Sequence, residues 1–258
     1  MNEIYDNPDL YAHEHGNAHP DVPYYVRLCR QWKPRRILDW ACGDGRLTLP
    51  LAETAAEWGG QMEAMDVSES MIEAARKAPN PHGVQWHLGD LRSWQPSEPV
   101  DLIVCGCSSL SHLTNTPDLV AAWSNAYQSL TIGGRFMVSE VAPDYATMAE
   151  SMRIPPRSVV QWDRDVESEA GRLLRCRSSR YRAHLQQLRV EHFYDQFTSD
   201  AGNDRAVNEY LAHVFFPTEL RLLFLHAGFT MEFEHGNYAG EAFSHASTLM
   251  NFCGNRNS

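Results

Sequence analysis

Asp39, Gly43, Gly45 and Arg46 crowd into the stretch ILDWACGDGR (37–46) immediately behind an apolar run. Glycines let a backbone turn tightly and let a ligand approach where a Cβ would block it. A dinucleotide fingerprint places three glycines in such a turn. Here Ala41 stands at the first position and Leu47 and Thr48 leave no third, so a pyrophosphate has a poor seat. Asp39 would repel a pyrophosphate and suit a cationic group, which points to a nucleoside bearing an amino acid. Two further acids, Asp66 before SES and Asp90 before LRSW, stand where a carboxylate either faces a ligand or caps the next helix. His112, in CSSLSHLTN, has an imidazole able to titrate near neutral pH; it could act as a base or simply cap a helix.

These groups need rigid elements behind them. Residues 35–42 read as a buried strand and 45–58 as a helix despite Pro50; 60–68 is the next strand, and Ser68 opens a helix over 68–78. Strands at 83–90 and 101–107, a helix at 117–130 and a strand at 133–141 continue the alternation. This βαβαβ order predicts a parallel sheet with helices on both faces and a ligand beyond the carboxyl ends of its strands.

After Val141 the period changes. Residues 157–216 are closer to period two, broken at 168–171 and 198–204, and read as antiparallel strands inserted on the parallel core. From Arg153 to Arg189 there are nine arginines against four acids, a net +5 inside an acidic chain. Alternating exposed positions account for most of these arginines, while one or two could select an acidic or hydroxylated ligand. Residues 216–229 return to helical spacing and stop at Gly228, and 229–236 and 246–254 read as last strands. The expected division is an N-terminal lid or helical segment (1–34), a core (35–150), the insertion (151–216) and a C-terminal completion of the core (217–258). The N-terminal stretch through Tyr25 is aromatic, histidine-rich and poor in aliphatics, so it is not expected to be core.

Composition narrows the function. The chain has 258 residues, 43% of them hydrophobic, enough for one large core with an elaboration. A formal charge of −11 argues against a non-specific grip on nucleic acid. There is no apolar run long enough to span a membrane and no secretory pattern at the start, so a cytoplasmic protein is expected. The cysteines, Cys29, Cys42, Cys105, Cys107, Cys176 and Cys253, form neither a zinc pattern nor a disulfide scaffold. His13, His15 and His19 lack acid or cysteine partners at a fixed spacing, so no metal is expected.

ILDWACGDGR, AMDVSESMIEAAR, LGDLRSW, DLIVCGCSSLSHL, GGRFMV and LLFLHAGF, in this order, resemble the class I S-adenosylmethionine-dependent methyltransferases over roughly the whole chain. The strand-rich insertion is most similar to that of small-molecule N- and O-methyltransferases, including those that dimethylate amino sugars. The resemblance implies an α/β, Rossmann-like fold: a seven-stranded, mostly parallel sheet between helices, with an antiparallel β region before the last helix. It implies S-adenosyl-L-methionine as methyl donor and S-adenosyl-L-homocysteine as product. Asp39 and the backbone of Ala41, Cys42, Gly43 and Gly45 would lie beside the methionine part, and Asp66 would take both ribose hydroxyls. Val67 and Met71 would flank the adenine, Asp90 would accept from its amino group and Leu91 would reach a ring nitrogen through its backbone. The main chain of Cys105 and Gly106 would meet the methionine ammonium. His112 would face the transferable methyl, and Tyr5 and Tyr11 would belong to a lid touching the methyl or the acceptor. Ala41 departs from the family's usual glycine, a small-for-small change.

The implied acceptor is nitrogen or oxygen of a small metabolite. An RNA or protein methyltransferase is disfavoured by the charge and by CGCSSLSH where an NPPY-like stretch would stand. A non-catalytic module that binds S-adenosylmethionine is the alternative from another class. The insertion would serve the substrate side or a homodimer.

Overall fold

The computed structural model describes residues 8, 11, 12, 20–155, 157–168, 171–197 and 203–257. It divides into two compact units, one of residues 19–143 with 215–258, the other of residues 144–214 with the N-terminal residues.

The larger unit begins with α1 (Val22–Trp32) and alternates β1 (Arg36–Trp40), α2 (Thr48–Ala56), β2 (Gln61–Asp66), α3 (Glu69–Lys77), β3 (Gln85–Leu88), β4 (Val100–Cys105), α4 (Thr116–Ser129) and β5 (Leu130–Val141). Pro50 is tolerated because it lies in the first turn of α2, where backbone N–H groups have no partner within the helix. Ser68 caps α3 by accepting from the Met71 N–H at 3.3 Å, and Asn115 caps α4 by accepting from Asp118 N–H.

The smaller unit holds α5 (Tyr145–Ser151) and four strands: β6 (Val159–Ser168), β7 (Gly171–Arg182), β8 (Gln187–Phe197) and β9 (Asn203–His213). They form an antiparallel meander in sequence order. Asp144 caps α5, a helix that hydrophobic periodicity did not signal because it has only seven residues. The larger unit then closes with α6 (Pro217–Ala227), β10 (Phe229–His235) and β11 (Leu249–Arg256).

The seven-stranded sheet has the order β10-β11-β5-β4-β1-β2-β3, antiparallel only where β11 is inserted. One side packs Phe136 against Trp40, Trp123, Phe224 and Phe229 with ring centroids 5.6–5.8 Å apart. The other side packs Leu51, Ile37 and Met137 with Tyr24 and Tyr25 of α1, which are 1% and 2% exposed. This corrects the expectation that the stretch ending at Tyr25 is not core. The two rings replace aliphatics there, and the Tyr24 hydroxyl is satisfied by His235 Nδ1 at 2.9 Å.

Candidate active site

The expected groups gather at the carboxyl ends of β1, β2 and β4. The turn after β1 is left-handed at Ala41 (φ 55°), Gly43 (φ 57°) and Gly45 (φ 89°). A Cβ on Gly45 would stand 2.6 Å from the Trp86 ring, so this position must stay bare. At Ala41 an alanine occupies backbone space that glycine enters without strain.

Asp66 ends β2 and ties the site together. Its Oδ2 accepts the Gly43 N–H and its Oδ1 the Ser68 N–H, each at 2.8 Å. The Val67 N–H is a third main-chain donor, and the carboxylate keeps acceptor capacity for a ligand hydroxyl. Burial raises the Asp66 pKa, opposed by these backbone donors and by the nearby charge of His112. His112 ends a 3-10 turn after β4, Ser109–His112, and its ring is exposed. The structure thus brings His112 into electrostatic range of the second strand's acid, a proximity invisible at a separation of 46 residues.

Asp39 lies beneath the loop, 2% exposed, accepting the Thr48 hydroxyl at 2.7 Å. Burial pushes its pKa up to about 7, against the opposing pull of Thr48 and Arg46. It holds the first turn of α2 against β1 and supplies latent negative charge under the loop. Cys42 is buried, its thiol pushed up by burial and by Asp39 and Asp66.

Around the far end, Val67 is 71% exposed, open to a flat ring, whereas Met71 is 1% exposed and belongs to the packed interior. Asp90 is held below the usual carboxylate range by Arg92, whose Nε reaches both of its oxygens at 2.9 and 3.0 Å. Arg92 also donates to Asp118 at 2.8 Å, so an amine accepted by Asp90 would share the carboxylate. The loop carrying Leu91 is fixed by buried Asn125, which donates to the carbonyls of Leu91 and Trp94 at 2.8 Å.

Cys105 is buried at the end of β4, and Gly106 follows, where an added Cβ would meet the Tyr25 hydroxyl at 3.3 Å. That hydroxyl is buried, with the Ser139 side chain as its neighbour. Cys107 and Ser108 are both left-handed, at φ 54° and 58°. Such strain persists where neighbours over-determine it. Here Ser108 donates its N–H to the Ser139 carbonyl at 2.9 Å and its Oγ accepts from Val141 N–H at 3.0 Å. The serines of CGCSSLSH therefore build the turn that presents His112.

Sequence reasoning gave Arg46 no role and missed its partner, Asp21. Arg46 makes a bidentate pair with Asp21, both contacts 2.7 Å, and its Nη2 lies 2.8 Å from Cys107 Sγ. The arginine in GDGR was the available signal; its partner, 25 residues earlier on another element, was not. Tyr11 packs against Leu173 and Tyr194 in the smaller unit, while Tyr5 lies outside the described residues.

A bare glycine cradle, an acid with acceptor capacity to spare and a buried hydroxyl beside Gly106 fit a nucleoside with a polar tail. Residues 37–134 match the family model described as a methyltransferase domain. A trans-aconitate 2-methyltransferase from Mycolicibacterium gilvum is 38% identical over 109 residues, covering 41% of this chain and 40% of the relative. The chain thus aligns with less than half the length of that curated relative. The CcbJ methyltransferase from Streptomyces caelestis has a TM-score of 0.79 at 19% identity, with 99% of each chain covered. The sugar N-methyltransferase KedS8 from a Streptoalloteichus species has a TM-score of 0.76 at 19% identity, covering 100% of this chain and 94% of that one. With the glycine turn, the Asp66 cradle and the sheet order already in place, residues 37–134 are similar to a methyltransferase domain, and the chain shares the fold of these solved methyltransferases.

Proposed function

We propose that the protein transfers a methyl group from S-adenosylmethionine to nitrogen or oxygen of a small metabolite. The observation that carries this is the Asp66 carboxylate, oriented by the N–H groups of Gly43 and Ser68 with lone pairs to spare, within range of His112. Bound there, the cofactor supplies an electrophilic methyl on a sulfonium. Asp66 binds the ribose hydroxyls, Val67 covers the adenine and Asp90 accepts its amino group. The turn 41–45 and Gly106 leave room for the methionine part, above the charge of Asp39. In-line transfer demands alignment, exclusion of water and loss of the acceptor's proton. His112 takes that proton where the acceptor is a hydroxyl.

Relatives and structural neighbours named for a tricarboxylate, trans-aconitate, and for sugars support a small acceptor over a macromolecule. The charge of −11 argues against nucleic acid. Six free cysteines suit the reducing cytoplasm, and no described helix is long and apolar enough to cross a membrane. A homodimer would use the open face of the antiparallel sheet, where Trp162 is 65% and Val207 54% exposed.

Calorimetry with S-adenosylhomocysteine, followed by mass-spectrometric search of metabolite extracts for products heavier by one methyl, tests the proposal. Asp66→Ala should weaken binding about 30- to 100-fold, the loss of a bidentate charged contact. His112→Ala should bind normally and turn over slowly. Tight binding without any product across a broad acceptor panel would favour the non-catalytic module, and unchanged affinity in Asp66→Ala would refute the cradle.

A further inference from the structure

The antiparallel sheet keeps its charges on separate faces. On the open face the described acids are matched: Asp195 pairs with Arg205 at 2.6 Å, Asp165 with Arg172 at 2.8 Å, and Glu191 and Glu209 flank Arg189. On the covered face the pattern differs. Register sets Arg177 of β7 opposite His192 of β8, and His192 opposite Asn208 of β9, so three side chains from three strands share one row. In the neighbouring row Arg175 faces Tyr194, which faces Ala206.

Arg175 is 8% and His192 6% exposed, and Arg175 bonds to the Tyr194 hydroxyl. That hydroxyl lies 3.1 Å from His192 Nδ1. Burial, reinforced by the two arginines, drops the His192 pKa to about 3, so its ring is neutral at physiological pH and adds no charge of its own. Arg177 Nε is buried without a hydrogen-bond partner among the described residues, and so is Oδ1 of Asn208, a residue only 5% exposed. Asp144 is close enough to feel Arg177, but its oxygens are spent on the cap of α5, accepting from Ala146 N–H, Thr147 N–H and the Thr147 hydroxyl. A buried guanidinium donor calls for an anion, and a buried amide oxygen calls for a donor.

We propose that the Arg177–His192–Asn208 row, with Arg175 beside it, seats a small ligand that carries both an anionic group and a hydroxyl or amine. The carboxylate or phosphate lies on the guanidinium groups, which match either anion in bidentate fashion. The hydroxyl or amine donates to Asn208 Oδ1. Two strand spacings separate the ends of the row, about 10 Å, which is the span of a small metabolite. Ala206, exposed at the β9 edge, leaves the neighbouring row open on that side. Tyr11 packs on this same face, against Leu173 and Tyr194.

The full chain loaded with S-adenosylhomocysteine is titrated with citrate, with inorganic pyrophosphate and with glucose as neutral control. At least one of the anions should bind, and which one distinguishes a carboxylate from a phosphate ligand. Arg177→Gln should weaken that binding at least tenfold while S-adenosylhomocysteine binds as before. Asn208→Asp, which sets a carboxylate into the row, should abolish it and decides the matter alone if Arg177→Gln fails to fold. No binding of either anion to the unsubstituted protein, or equal binding in the variants, would overturn the proposal. Failure to bind S-adenosylhomocysteine would instead strike the cofactor reading, and the anion titration on unloaded protein then judges the row separately.

Discussion

The parallel unit and the antiparallel unit solve the burial of polar groups in opposite ways. In the parallel unit two of the functional acids are engaged by the main chain or by a neighbouring hydroxyl, Asp66 by N–H groups and Asp39 by Thr48, while Asp90 at the far end pairs with Arg92. In the antiparallel unit side chains meet side chains, Tyr194 with His192 on one face and Asp195 with Arg205 on the other. Main-chain donors cannot be mutated away, so they suit a cofactor site shared across many enzymes. Cross-strand side-chain rows change residue by residue, which suits a surface whose specificity varies between proteins of one fold.

The largest effect that sharpens this contrast is expected at Phe136, fully buried and touching four aromatic rings. Phe136→Ala should cost about 3–5 kcal/mol in a denaturant titration. A loss under about 1 kcal/mol would show that the parallel unit does not depend on this cluster.

Asp39→Asn comes next and is read through pH. Burial raises the folded Asp39 pKa to about 7, from the ordinary carboxylate value of about 3.9 in the unfolded chain. Between these values the folded state holds a proton that the unfolded state has lost, so stability falls as pH rises from 4 to 7 and is level above. Asp39→Asn should flatten that window and leave the protein more stable than the unsubstituted chain at pH 8. A sulfonium or ammonium ligand favours the ionised acid, so its affinity in the unsubstituted chain should weaken below pH 7 and lose that dependence in the variant.

Ala41→Gly removes a left-handed alanine and should raise stability by about 1 kcal/mol or less, since strain relief is offset by added freedom in the unfolded chain. Smallest is Arg205→Gln on the open face of the antiparallel sheet. Its ion pair with Asp195 is solvent-exposed, and the melting midpoint should not move measurably. A clear drop would mean that the open face is held by its charges, and the contrast between the units would weaken.

Much of the parallel unit was legible because its cues are local. Apolar runs, Ser68, the glycine turn and Gly228 each act within a few residues of where they stand. The strands of the insertion were legible by their period. Their partners were not, and the arginines looked like an exposed alternation until register put Arg175 on the covered face. Tyr24 and Tyr25 misled for a related reason: a tyrosine counts as polar in a composition, but its ring fills a core once its hydroxyl has a partner or a ligand to meet.

The sequence by itself determined the sheet-forming alternation, the site of the cofactor turn and the acids at the strand ends, because these follow from periodicity and from steric limits on single residues. Only the tertiary structure decided that Arg46 is held by Asp21, that His112 comes within range of Asp66 and that Arg177, His192 and Asn208 form one row. Each of these pairings joins elements far apart in the chain. Strand order and register, set by the packing of the whole core, are what bring them together.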